Sequence, residues 1–166
     1  MRFFLGALLA LVFAGAAVAQ PVNTGHLTAE IVASTQGVAP GQTVQIALRQ
    51  SIQKGWHTYW RNAGDSGEAT AIKWTLPAGW SASDFTWPTP HRLPVGPLVN
   101  YGYEGEVLLP VTLTAPADAR PGQTVTLTGA ATFLVCAEVC IPENATLTLQ
   151  LPVTAAAAPA DARWGP

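Results

Sequence analysis

The sequence predicts an all-β fold, an immunoglobulin-like β-sandwich, and three observations carry that expectation. Seven or more short segments alternate apolar and polar residues with a period of two, and no helix-length stretch repeats at 3.6. Thr (18 residues) and Val (14) are abundant, and their branched side chains favour a pleated, half-buried surface over a helix. Fifteen Gly and fourteen Pro supply the punctuation that many short strands need.

Residues 1–19 read as a cleaved secretory signal. Arg2 gives the positive start, residues 3–13 the apolar centre, and Ala17-Val18-Ala19 the small-residue site before Gln20. The sandwich is then expected over residues 20–154, and the Ala- and Pro-rich residues 155–166 as a linker or frayed end. The first strand signal spans residues 26–34, with Leu27, Ala29, Ile31 and Ala33 on one face. Val44, Ile46 and Leu48 repeat the pattern after a turn at Pro40-Gly41. Trp56, Thr58 and Trp60 face one way, and His57, Tyr59 and Arg61 the other. Ile72, Trp74 and Leu76 form a further short strand. Val107, Leu109, Val111 and Leu113 form the cleanest run, and residues 125–133 and 145–151 complete the set. Pro-Gly-Gln-Thr-Val occurs twice, at 40–44 and 121–125, as one turn-then-strand device. Residues 81–100 hold four Pro and little alternation, which predicts a long irregular connection. Trp56, Trp60 and Trp74 are expected to pack on the sheets, while Trp80 and Trp87 are candidates for a partner surface.

A formal net charge of −2 with eight basic residues leaves no basic face for nucleic acid. Disorder is excluded by 49% apolar and 11% charged residues.

The chemistry, if any, rests on Cys136 and Cys140. An extended chain would separate the two Cα atoms by about 13 Å, and a disulfide needs them within about 7 Å. A bond therefore requires the chain to reverse at Ala137, Glu138 and Val139, which puts both sulfurs at a turn tip. In a secreted chain such a pair is a structural staple, an exchangeable redox pair or a pair of soft-metal ligands. Closing a five-residue loop stabilises by only about 2 kcal/mol in the chain-entropy model, which favours a bond made to open and close. A Cu(I) site would use both thiolates with His57 or His91 assisting. His57 reads more simply as a sheet-face residue, and His91 as a solvated loop residue. Glu138 lies between the cysteines and disfavours a thiolate.

Three blocks in order resemble the N-terminal periplasmic domain of the DsbD family of protein-disulfide reductases. They are Trp56-His57-Thr58-Tyr59-Trp60-Arg61-Asn62-Ala63-Gly64-Asp65-Ser66-Gly67, then Val99-Asn100-Tyr101-Gly102-Tyr103-Glu104-Gly105-Glu106-Val107, then Cys136…Cys140-Ile141-Pro142-Glu143. The first block is similar to the ScsB branch, associated with copper tolerance. The resemblance spans residues 24–153. It implies an immunoglobulin-like, periplasmic domain that takes reducing equivalents from a membrane-embedded thiol reductase domain and passes them to periplasmic thioredoxin-fold proteins, with no bound cofactor. It further implies that Cys140 forms the mixed disulfide and Cys136 resolves it. A cap loop at Tyr101 and Tyr103, with Asn100 and Glu104 beside them, would shield the pair until a partner docks. Three residues separate the cysteines here, where the best-known members place five.

Overall fold

Each period-two segment carries a strand. In the computed structural model, which describes residues 16–165, the chain forms twelve strands and, among the described residues, no helix. They are β1 (Val18–Ala19), β2 (Val22–Asn23), β3 (Leu27–Ala33), β4 (Thr43–Ile52), β5 (Thr58–Gly64) and β6 (Ala71–Thr75), then β7 (Ser81–Ala82), β8 (His91–Val95), β9 (Leu98–Tyr103), β10 (Glu106–Thr114), β11 (Thr124–Cys136) and β12 (Cys140–Pro152). One sheet runs β1-β12-β11-β6 and a second β2-β3-β4-β10-β7, with a small third sheet β5-β9-β8. The neighbouring strands pair antiparallel throughout.

The first two sheets enclose one core, the immunoglobulin-like β-sandwich that the alternation predicts. From the first come Leu127, Ala131, Phe133, Val135, Ala145, Leu147, Leu149 and Leu151. The second contributes Leu27, Ala29, Ile31, Val44, Ile46, Leu48, Val107, Leu109, Val111 and Leu113. Burying each such Leu or Ile stabilises the fold by about 1.5–3 kcal/mol relative to exposure. The repeated Pro-Gly device performs the same job twice. Gly41 and Gly122 take positive φ, and the amides of Gln42 and Gln123 close the turns onto Ala39 and Arg120. Pro then positive-φ Gly is the type II signature, and Thr43 and Thr124 open the strands that follow.

Residues 81–100 are more regular than their composition predicts. They include β7, β8 and the start of β9, and β8 pairs with β9 from His91↔Gly102 to Val95↔Leu98 around a Gly96-Pro97 turn. Pro94 is tolerated because β8 is the outer strand of its sheet, where a missing N–H breaks no ladder on the open side. All five of Trp56, Trp60, Trp74, Trp80 and Trp87 pack partly buried against the core.

At the N-terminus, residues 1–15 of the expected signal lie outside the described residues, and Val18 and Ala19 pair with Gln150 and Leu149 of β12. The C-terminal segment runs back across the second sheet. The Gln36 amide donates to the Pro159 carbonyl and the Asp161 amide to Ser34. Trp164 lies under the Arg49 guanidinium at 5.3 Å, and that guanidinium also binds Glu30 and Glu106. No helix among the described residues is long and apolar enough to cross a membrane.

Candidate redox site

The site sits at the tip of the longest hairpin. The β11–β12 register runs unbroken from Thr124↔Pro152 to Cys136↔Cys140, so the chain reverses over Ala137, Glu138 and Val139 as the short spacing requires. The Ala137 amide closes the turn onto the Val139 carbonyl at 3.0 Å. Cys136 and Cys140 are disulfide-bonded with their Cα atoms 4.1 Å apart.

A neighbouring strand explains that close approach. The Cys136 amide donates to the His57 carbonyl at 3.0 Å, and the His57 amide donates back at 2.9 Å. A strand residue points its N–H and C=O the same way, so both Cys136 groups are spent on His57. Toward β12 Cys136 is left in a non-hydrogen-bonded pair, the kind in which opposed side chains come closest. The two cysteine residues differ in exposure. Cys136 is 1% exposed, whereas Cys140 is exposed, as is its neighbour Val139 at 62%.

Two buried polar side chains stand behind Cys140. The Tyr59 hydroxyl lies 3.8 Å from Cys140 Sγ and 3.2 Å from His57 Nε2. Burial lowers the His57 imidazole below its ordinary value, and the Glu104 charge works against that shift. Burial raises the Tyr59 phenol. Tyr59 is fixed by backbone that leaves no room for a side chain. Gly67, at φ +100°, brings its Cα so close to the Tyr59 ring that an added Cβ would meet Cε1 at 2.2 Å. Opposite Tyr59 on β9 is Gly102, where a Cβ would fall 1.9 Å from the Thr58 carbonyl oxygen.

A second polar group braces the hairpin just beyond Cys140. The buried Glu143 carboxylate accepts from the Thr24 hydroxyl, from the His26 amide at 3.0 Å, and pairs with His26 Nδ1 at 2.5 Å. The His26 ring stacks on Trp56 at 3.8 Å. Burial pushes the Glu143 carboxyl up, but the bonds from Thr24 and His26 outweigh it and hold the group below the ordinary carboxylate value.

Residues 27–152 match the profile of a family described as thiol:disulfide interchange protein DsbD, N-terminal. The chain belongs to this family. Among solved structures, the N-terminal periplasmic domain of ScsB from Proteus mirabilis is 29% identical and superposes with a TM-score of 0.66 over 90% of this chain. The chain spans 55% of that structure's length. The GAE domain of yeast GGA1 also aligns, covering 82% of this chain and all of its own. Its 12% identity and TM-score of 0.43 are too low to bear on fold or function. No curated protein matches the chain.

In this DsbD-type domain the quartet expected at the cap divides into buried and exposed members. Asn100 is 1% exposed and spends its amide on Ser66, accepting from the Ser66 amide at 3.0 Å and exchanging bonds with its hydroxyl. Tyr103 is 3% exposed, and its hydroxyl donates to the Pro88 carbonyl at 2.8 Å, with burial pushing its phenol up to about 12. Tyr101 and Glu104 are exposed. Of the histidines considered for a metal, His57 faces Tyr59, and His91 is exposed at the start of β8. The described residues contain no group of three or more His, Cys, Asp or Glu arranged to hold a metal ion. Tyr59, and His57 in any role other than metal ligand or sheet-face residue, were not singled out by sequence reasoning, yet the structure brings both beside Cys140. Their shared face was legible from the alternation, but the partner that face meets was not.

Proposed function

We propose that this domain is a periplasmic thiol–disulfide relay in which Cys140 exchanges with partner disulfides and Cys136 resolves the mixed intermediate. In the reduced domain the Cys140 thiolate attacks one sulfur of a disulfide on a thioredoxin-fold partner. A mixed disulfide forms and the partner's other sulfur leaves as a thiolate. The Cys136 thiolate then attacks Cys140 Sγ, re-forming the internal bond and expelling the partner's second thiolate. Two electrons and two protons pass to the partner, and a membrane-embedded thiol reductase domain restores the dithiol.

The observation that carries this reading is the asymmetry of the pair: an exposed Cys140 suits intermolecular attack, and a buried, backbone-anchored Cys136 suits resolution. Exposed Tyr101 is the cap residue in this reading, with Asn100 and Tyr103 holding its strand and Glu104 beside it. Replacing Cys136 by Ala is expected to trap a mixed disulfide through Cys140 with a thioredoxin-fold protein in periplasmic extract. No trapped partner, together with a reduction potential below about −300 mV, would instead assign the bond a purely structural role. A relay is expected between about −180 and −270 mV.

A further inference from the structure

A thiol needs help to ionise near neutral pH, from a cation or from hydrogen-bond donors aimed at the sulfur. Glu138 between the cysteines gives the opposite charge, and no helix N-terminus points at the pair among the described residues. What does reach Cys140 is the Tyr59 hydroxyl, and behind it His57 Nε2. We propose that Tyr59 is the catalytic hydrogen-bond partner of Cys140, and that His57 is the positioning residue whose proton decides whether the Tyr59 hydroxyl accepts from the thiol or donates to the thiolate. The inference rests on the relay reading and adds the proton path to it.

One hydroxyl hydrogen must choose between two neighbours. With neutral His57, Tyr59 donates to Nε2, and its oxygen is left to accept the Cys140 S–H. When the thiol proton passes to the Tyr59 oxygen, the phenolic hydrogen passes to Nε2. His57 becomes imidazolium, its N–H donates to Tyr59, and the Tyr59 hydroxyl now donates to the thiolate. No atom is gained or lost: one proton has moved from Cys140 to His57 in two hops. After Cys140 attacks the partner disulfide, the same proton is free to neutralise the departing partner thiolate.

The surroundings fit a proton that is held briefly and then released. Burial disfavours a standing imidazolium, and Glu104 on the turn after β9 favours it. From the hairpin His57 meets Cys136 through the backbone, and on its own strand it meets Tyr59. His26 and Glu143 bond to each other. A thiolate forming on Cys140 as the imidazolium forms attracts it across the Tyr59 hydroxyl and offsets part of the cost of charging the buried His57.

The test uses the purified chain carrying Cys136→Ser, so that Cys140 is the single thiol, and follows its alkylation by iodoacetamide against pH. Adding Tyr59→Phe is expected to slow alkylation at pH 7 about fivefold, since it removes one bond to a charged sulfur. Adding His57→Gln should abolish the lower of two steps in the pH profile and leave the high-pH plateau unchanged. Profiles that coincide with the Cys136→Ser parent would overturn the proposal. If either variant fails to fold, the proton NMR titration of His57 in the unaltered chain decides instead. Its midpoint is expected to differ between disulfide and dithiol states, and equal midpoints would overturn the coupling. A partner trapped through Cys140 without any of these pH effects sinks the proton path and leaves the relay. The pH effects without a trapped partner do the reverse.

Discussion

Glu143 is a buried carboxylate a few residues beyond Cys140, and its value lies in what it holds together. It ties Thr24 and His26, ahead of β3, to the strand that carries the exposed cysteine. Its folded value lies below the unfolded value of 4.5, so the stability it contributes is fully present above pH 4.5. That stability is lost as the pH falls through the lower folded value, because the unfolded chain then binds the proton more readily. Glu143→Gln is therefore expected to flatten the acid limb of a denaturation-midpoint curve. It should also cost about 1–3 kcal/mol at neutral pH, where the His26 amide and imidazole lose a charged acceptor. The sequence showed a cysteine motif followed by Pro142 and Glu143. It could not show that Glu143 faces inward, since its partners lie more than a hundred residues away in the chain.

Among the elements, β5 and β9 decide where Tyr59 stands: Gly102 lets the two strands approach, and Gly67, beyond β5, leaves room for the Tyr59 ring. Gly67→Ala places a side chain in a left-handed backbone conformation and into the Tyr59 ring. The expected result is destabilisation of about 1–3 kcal/mol by overpacking, read as a lower midpoint in urea, with a changed alkylation rate at Cys140. An unchanged rate would mean that the Tyr59 ring can shift without consequence for the sulfur. The same elements show why composition misleads. Four prolines between residues 81 and 100 argued against strands, yet β8 accommodates Pro94 because it lies at an edge. In contrast β10, and the segments 125–133 of β11 and 145–151 of β12, were legible from their alternation, whereas the strand ends that reach Cys136 and Cys140, Glu143 among them, were not. Periodicity reports burial well and edges poorly, because an edge is a property of the partner strands.

For the molecule as a whole, the disulfide is expected to contribute little to stability, although Cys136 itself is buried. The core between the two large sheets contains neither sulfur's neighbours in the turn, and the loop closed by the bond is five residues long. Reduction is expected to leave far-ultraviolet circular dichroism unchanged and to cost about 2 kcal/mol. The thermal midpoint should fall by about 5 °C. A midpoint lowered by tens of degrees, or loss of the cooperative transition, would make the bond a structural necessity and weaken the case for exchange. The fold class followed from turn signals and alternation alone, whereas the backbone bridge from His57 to Cys136 joins segments whose pairing no local pattern encodes.

That bridge bears on the lifetime of any intermediate. Since both main-chain bonds of Cys136 are made to His57, its thiol is expected to stay in place after the disulfide opens, with Cys140 held directly opposite by the hairpin register. Its effective concentration toward Cys140 is thus set by side-chain rotation and not by a search of the backbone. Mixed disulfides with the intact pair should be fleeting, and each partner should leave almost as soon as it has exchanged. In the relay proposed above, the domain would hand electrons on and keep no client.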